Sequence, residues 1–455
     1  MAFTGPPPVV PAPPQNDLPA DSKVNQFLNK QLTDISTDME YTIKSSRIDP
    51  QGPLYSGKTF ASLRLKPELL KALNELGFIQ PSKIQEMILP VLLMAPPQNV
   101  IAQAQSGTGK TVAFALAMLS RVDPTKNYPQ AICLAPTFEL ALQIGDVIRD
   151  LGKYIEGLSW MFAVKGAQLE RNTQLTQHII IGTPGKTHDW IIKFKALDPS
   201  KIKAFVLDEA DQMISMQGIM EQSIRLHQEV ENHAEECQTM FFSATYTEEL
   251  IKFAETIVKD AYLLTLQKKE QNVPYIRQFV VPCADRMAKY RTVVNLFRGI
   301  TISTSIIFCH TKSSVDWLAD QMMQRGYVVG VLHSNMSMED RAHVIDQFRN
   351  GEFKLLITTN VCARGIDVPQ VTMVINYDIP VTHDTAEPDY ETYIHRIGRT
   401  GRFGHPGIAV NFADSDRAME IVQMIATHFG VDIQRLDTED DSQLERIENE
   451  KSTGI

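Results

Sequence analysis

Cysteine is scarce in this chain. There are 5 in 455 residues, and no two form a CxxC pair. That excludes a zinc knuckle and a dense disulfide framework, and it points to reduced thiols. Cys133, Cys309 and Cys362 lie in or beside apolar runs that would bury them; Cys237 and Cys283 stand apart. No stretch approaches the roughly 20 apolar residues needed to span a bilayer, so no membrane insertion is expected. The N-terminus lacks a basic-then-apolar signal pattern and carries the run PPPVVPAPP instead, which predicts an intracellular protein. Positive charge is not in excess either. Lys and Arg total 44 against 54 Asp and Glu, for a net charge of −10. That argues against a constitutive nucleic-acid binder but leaves room for a local groove with a conditional grip.

What is present is the composition of a soluble globular protein, 43% apolar and 22% charged. The length exceeds one ordinary core. Residues up to about Ala20 are Pro-rich and are predicted to be disordered. In Asp21 to Leu32, apolar Val24, Phe27, Leu28 and Leu32 recur at helical spacing, which predicts a short helix capped by Asp21 or Ser22. A connector with turn residues follows through Gly57. From Phe60, short β-type runs alternate with helical stretches: NVIAQ, AICLAP, IIIGTP, AFVLDEA and TMFFSAT. After the polar stretch QKKEQN a second series begins: SIIFCHT, VVGVLH, KLLITTN, TMVINYD and GIAVNF. This pattern predicts an α/β chain with two tandem doubly wound parallel-sheet domains, at 58–268 and 273–455, after an N-terminal extension at 1–57. Such sheets bind ligands at the carboxyl ends of their strands.

The segment AQAQSGTGKT follows one of those strands and leads into a helical stretch. Ala104 to Thr111 fits a P-loop in which Ala replaces the first Gly. Ser106, Gly107, Thr108 and Gly109 form the turn whose backbone N–H groups would cradle phosphate, and Lys110 would reach the β and γ phosphates. The Thr111 hydroxyl would help hold Mg²⁺. Asp208 and Glu209 stand just past the run AFVL, where a P-loop ATPase holds its Mg²⁺ through water and orients the attacking water. The cofactors expected are therefore ATP and Mg²⁺, with Asp208 and Thr111 on the metal.

Asp208-Glu209-Ala210-Asp211 spells DEAD, Ser243-Ala244-Thr245 follows the next strand, and GFIQPSKIQ ends at Gln85. In these motifs the chain resembles the DEAD-box RNA helicases over nearly its whole length, with two RecA-like domains. The resemblance implies that Gln85 selects adenine, that Phe60 stacks on it, and that Ser243 and Thr245 couple the domains. HRIGRTGR, His395 to Arg402, matches the family's sixth motif. It implies Arg399 as an arginine finger, Arg402 as a γ-phosphate contact, and Arg396 as a support of the interdomain contacts. TTNVCARGIDV resembles the fifth motif, with Asp367 toward the ribose or the interdomain groups.

The family grips single-stranded RNA by its backbone across both domains. The matching positions are Pro136, Thr137, Gly166, Thr183, Pro184, Gly185, His310, Thr311, Arg341, Thr359 and Arg364. Four positions depart from the pattern: Phe138 for Arg, Lys186 for Arg, Ala167 for Gly and Met338 for Gln. The thinned track implies weaker RNA binding that depends on ATP-driven closure.

NVCARGIDV, MISMQG and the long segment IPVTHDTAEPDYET are similar to the mRNA-export branch, which works at the cytoplasmic face of the nuclear pore. That likeness implies mRNP as substrate, a cytoplasmic-filament nucleoporin and an inositol-hexakisphosphate-dependent activator as partners, a monomeric state, and a location in cytoplasm and nucleus enriched at the pore. It also makes Asp21 to Leu32 the candidate for a restraining helix. Two other readings stay open: a general or translation-type DEAD-box helicase, and an ATP-gated RNA clamp that scaffolds proteins.

Overall fold

In the computed structural model the described residues are 41–44, 59–78, 80–103, 108–170, 172–215, 218–244, 248–266, 276–300, 304–360, 371–382, 385–401 and 407–453. The Pro-rich start, the helix expected at Asp21 to Leu32 and the expected domain boundary near 269–272 lie outside them.

Two separate sheets form. The first contains β1 Tyr41–Lys44, β2 Val100–Gln103, β3 Ala131–Leu134, β4 Trp160–Ala163, β5 Ile179–Gly182, β6 Ala204–Leu207, β7 Gln238–Ser243 and β8 Tyr262–Leu266. Its order is β1-β8-β2-β7-β6-β3-β5-β4, parallel except where β1 meets β8. The stretch around β1, read from sequence as connector, thus adds an antiparallel edge strand. The second sheet contains β9 Ile276–Pro282, β10 Ser305–Cys309, β11 Val329–Leu332, β12 Leu355–Thr359, β13 Met373–Asn376, β14 Gly407–Ala413 and β15 Ile433–Arg435. Its order is β11-β12-β10-β13-β14-β9-β15, all parallel. The tandem doubly wound architecture is therefore present.

The central strands are apolar at every position because both of their faces are covered. Ala131 and Cys133 enter one core cluster, and Ile132 and Leu134 enter another across the sheet. Val206 and Phe205 divide the same way, as the two-residue period of a strand requires. In the second sheet Ile307 and Cys309 face one core and Ile306 and Phe308 the other. Cys133, Cys237, Cys283 and Cys309 are free thiols, and burial pushes the thiol of Cys237 up to about 12. No described helix is long and apolar enough to cross a membrane.

Helix starts are fixed by side-chain caps. Ser82, Thr137, Asp285, Thr311, Ser337, Asp389 and Ser415 each accept a hydrogen bond from an N–H in the first turn they precede. Several of these caps sit at the carboxyl ends of strands. The fold thereby gathers the sequence motifs on one rim of each sheet.

Candidate active site between the two sheets

The phosphate loop emerges from β2 and enters helix Lys110–Arg121 through Gly109, whose φ is +96°. Gln85 holds this turn from the side. Its Oε1 accepts the Ser82 N–H at 2.9 Å, and its Nε2 donates to the Gly109 carbonyl at 3.0 Å. The Ser82 hydroxyl donates to the Thr108 carbonyl at 2.7 Å. The Ser-x-x-Gln capping box is therefore also a brace for the phosphate loop. This bracing adds to the adenine selection expected of Gln85, and the Ser-x-x-Gln spacing is the signal for Ser82 that the motif reading passed over. Phe60 lies in the first apolar cluster at 3% exposure. Ser106 and Gly107 fall outside the described residues.

Gly109 has two reasons to be glycine. Its backbone is left-handed, and a Cβ there would sit 2.4 Å from Gln85 Nε2 and 3.3 Å from Ser82 Oγ. Gly109→Ala is therefore expected to push Gln85 away and open the cradle. The backbone strain alone costs about 1–2 kcal/mol. Titration with a fluorescent ATP analogue should show at least a roughly tenfold weaker Kd, about 1.4 kcal/mol, while the far-UV circular dichroism stays unchanged.

Lys110 is buried, and Asp208, Glu209 and Asp211 gather around it. Burial pulls its ammonium below the usual value while those three carboxylates oppose the shift. Asp208, directly after β6, accepts the Glu209 N–H at 3.0 Å. Burial pushes its carboxyl up to about 7 against the pull of Lys110. Glu209 adopts φ +48°, and Gln212 Nε2 donates to its Oε2 at 2.6 Å. A non-glycine residue in the left-handed region is uncommon, and such strain gathers at functional sites. The donor set, one buried carboxylate of Asp208 and the Thr111 hydroxyl, consists of hard oxygens that fit Mg²⁺. A divalent charge there would relieve the cost of ionising Asp208 in a buried place.

The second sheet supplies the opposite wall. Helix Tyr390–Ile397 ends in the arginine motif. Arg399 is buried, its Nε donates to the His395 carbonyl at 3.0 Å, and its charge acts on Lys110. The arginine is thus near enough to the lysine of the phosphate loop for its charge to be felt there. His395 Nε2 stands 3.4 Å from Asp211 Oδ2, and Asp211 Oδ2 also accepts the Ala244 N–H at 3.2 Å. Asp211 thus links the helix after β6, the turn after Ser243 and the second half. The sequence named Asp211 only as part of DEAD.

Arg396 was expected to support the interdomain contacts. Its guanidinium donates to Asn376 Oδ1 at 2.9 Å, to the Asp378 carbonyl at 2.7 Å and to Asn360. Those partners belong to the second half, so these bonds brace it internally. Arg402, Asp367, Arg364 and Thr245 lie outside the described residues.

The expected RNA positions separate into two kinds. Thr137 caps helix Phe138–Gly152, and Pro184 opens helix Pro184–His188. Gly166, Gly185, His310 and Thr311 reach the surface, and Thr359 is buried at the end of β12. Gly166 has φ +92° with open space where a Cβ would stand. Phe138, where the family carries Arg, packs against the first core cluster. Arg341, expected at RNA, pairs with Glu139 of the first half, a carboxylate only 2% exposed. Burial pushes that carboxyl up while Arg341 opposes the shift. Farther along the same two helices, Arg349 Nη1 stands 3.5 Å from Asp146 Oδ2.

This pairing predicts a result that a direct RNA contact would not give. Removing one partner of a buried ion pair costs about 3–5 kcal/mol, because the other charge stays buried alone. Arg341→Ala should therefore weaken nucleotide-dependent RNA binding by at least about tenfold. The swapped variant Glu139→Arg with Arg341→Glu should restore part of it in a filter-binding assay. Failure of the swap would make Arg341 a contact to RNA phosphate instead.

The DEAD/DEAH box helicase family pattern matches residues 82–253, and the Helicase conserved C-terminal domain pattern matches residues 288–404. The chain is 49% identical over 435 residues to the human ATP-dependent RNA helicase DDX19A, covering 96% of this chain and 89% of that one. It resembles a solved structure of S. cerevisiae Dbp5 bound to RNA and ADP BeF3, with a TM-score of 0.80, 42% identity, and 87% and 99% of the two chains covered. A second structure, a Dbp5 variant bound to Nup159, a Gle1 variant, IP6 and ADP, matches at a TM-score of 0.62 and 40% identity, covering 86% and 100%. At near-equal identity the chain superposes more closely on the RNA and ADP BeF3 complex than on the Nup159, Gle1, IP6 and ADP complex.

Proposed function

The chain belongs to the DEAD-box ATP-dependent RNA helicases, and from that premise we propose that its two halves close on ATP and single-stranded RNA to form one hydrolytic site. The observation that carries this reading is the meeting of the halves beside the phosphate loop, where His395 Nε2 of the second stands 3.4 Å from Asp211 Oδ2 of the first and the Arg399 charge reaches Lys110. The phosphate loop, braced by Gln85, positions the triphosphate, and Lys110 meets its β and γ oxygens. Gln85 also reads adenine; Phe60, buried in the first apolar cluster, is left out of the base site. Glu209, steadied by Gln212, orients the attacking water and takes its proton. Arg399, with Arg402, meets the charge that develops on the transferring phosphoryl group. Mg²⁺ would be held by Thr111 and Asp208 and would supply positive charge beside the phosphates.

RNA enters through closure. Thr137, Gly166, Thr183 and Gly185 line the first half of the track, and His310, Thr311 and Thr359 the second. Asp211, held by the Ala244 N–H and facing His395, ties the two halves together beside the phosphate site. A strand bent along this track cannot stay in a continuous duplex, so closing opens a short duplex or displaces bound protein. Hydrolysis and product release then separate the halves, and this gating sets turnover.

The branch of the family indicates the setting. The yeast relative is bound in its solved structures to RNA, and to Nup159, a Gle1 variant and IP6. The reading here is therefore an RNP-remodelling helicase of mRNA export, placed at the pore's cytoplasmic face by a nucleoporin and stimulated by an activator that uses inositol hexakisphosphate. The test is phosphate release with and without single-stranded RNA, repeated with the activator. RNA alone should raise the rate, and the activator should raise it further. A rate indifferent to RNA would leave an ATP-binding scaffold and refute the helicase reading.

A further inference from the structure

We propose that closure of the two halves builds a divalent transition-metal site from Asp211, Glu391 and His395. The proposal rests on the closed arrangement described above and adds a ligand to it. Glu391 and His395 lie four residues apart on one helix and therefore share a face. Asp211 approaches from the other half. One ligand atom from each residue lies within 4.8 Å of the other two. His395 Nε2 is 3.4 Å from Asp211 Oδ2 and 4.0 Å from Glu391 Oε1.

These separations can be set against coordination geometry. Ligands about 2.0–2.2 Å from a tetrahedral zinc ion stand about 3.3–3.5 Å apart. The Asp–His pair already meets that spacing; the His395–Glu391 separation of 4.0 Å exceeds it by about half an ångström, and the Asp211–Glu391 separation, within 4.8 Å, by at most about 1.4 Å.

A second observation points the same way. His395 is 2% exposed, and its Nε2 has no hydrogen-bond partner among the described residues. A buried polar atom left in that state calls for an explanation, and an unseen ion is one of the recognised ones. Here the atom lies within 4.0 Å of a carboxylate oxygen from each of two residues. Asp211 Oδ2 is fixed in place by the Ala244 N–H at 3.2 Å, an orienting contact of the kind metal ligands carry.

The donor set selects the ion. One imidazole and two carboxylates suit zinc, cobalt or manganese, whereas magnesium prefers oxygen ligands and retained water. Three protein ligands leave the fourth position to water.

The consequence is a linkage. Asp211 comes from one half and the other two ligands from the second, so the ion binds the closed form. At about ten times its Kd it would favour that form about tenfold. Product release needs the halves to part, so the ion acts as a brake on turnover.

The experiment uses the full chain, treated with EDTA and then loaded with single-stranded RNA, ADP BeF3 and excess Mg²⁺. Fluorescent RNA first reports closure. Co²⁺ is then titrated in. A tetrahedral site gives an intense visible absorption, whereas Co²⁺ at the phosphate site is octahedral and gives a weak one. We expect the intense band in the parent protein, its loss in Glu391→Gln, and its bleaching by Zn²⁺. Zn²⁺ should slow RNA release in the parent and leave Glu391→Gln unaffected. Glu391→Asp, which keeps a carboxylate, should retain a weakened band. Retained RNA with no band, or a band unchanged in Glu391→Gln, would overturn the site alone. Loss of RNA in the parent complex would overturn the closed arrangement and the site with it.

Discussion

Glu209→Gln should abolish RNA-stimulated phosphate release while leaving ATP and RNA bound. General-base catalysis contributes about 10²–10⁴ in rate, and the expected loss falls in that range. The substitution is mild for the fold. The side chain keeps an oxygen that can accept from Gln212 Nε2, now 2.6 Å from Glu209 Oε2, so the φ +48° backbone keeps its brace. What disappears is the capacity to take a proton. Lys110 and Asp208 are untouched, so nucleotide should bind and the halves should close. With hydrolysis blocked, they should stay closed. The variant should therefore hold labelled RNA longer than the parent after addition of excess unlabelled RNA. Parent-like turnover by Glu209→Gln would remove Glu209 from the mechanism, and fast RNA release with blocked turnover would separate closure from hydrolysis.

The parts of this molecule that were legible in the sequence are those whose chemistry is contiguous. The phosphate loop, DEAD and HRIGRTGR each pack their function into a few neighbouring residues. Ten apolar runs named from sequence became strands, most of them central and buried on both faces. The missed strands have weaker signals for physical reasons. β4 is an edge strand with three half-exposed residues, and β15 is a three-residue edge that is mostly exposed. β8 lies beside the edge strand β1 and is only partly buried where described. β9 carries Arg277 and Gln278 directly after its first residue, and their polarity masks the strand pattern; Gln278 is buried, with Tyr393 Oη donating to its Oε1 at 2.7 Å. The contacts between halves were the least legible. Asp146 and Arg349 are 203 positions apart, and no local pattern connects them. The same holds for Glu139 with Arg341 and for Asp211 with His395, which have meaning only once the two sheets face each other.

That dependence on closure makes Arg399 the sharpest probe of the second half. Arg399→Ala should lower RNA-stimulated phosphate release by about 10³–10⁵, the value of an arginine finger where one has been measured. The side chain is buried, tethered at Nε to the His395 carbonyl at 3.0 Å, and charged enough at the phosphate loop to act on Lys110. Its terminal nitrogens are the part that would meet a transferring phosphoryl group. Arg399→Lys should rescue little. Lysine keeps the charge but has neither the Nε tether nor the planar fork that spans two oxygens. ATP affinity should change far less than the rate, because Gly109, Lys110 and Gln85 all belong to the first half. Steady-state kinetics should then show kcat falling with KM for ATP nearly constant, the mark of an interaction made in the transition state. A rise in KM at unchanged kcat would reassign Arg399 to ground-state binding. Parent-like kinetics in Arg399→Ala would mean that hydrolysis is completed within the first half alone.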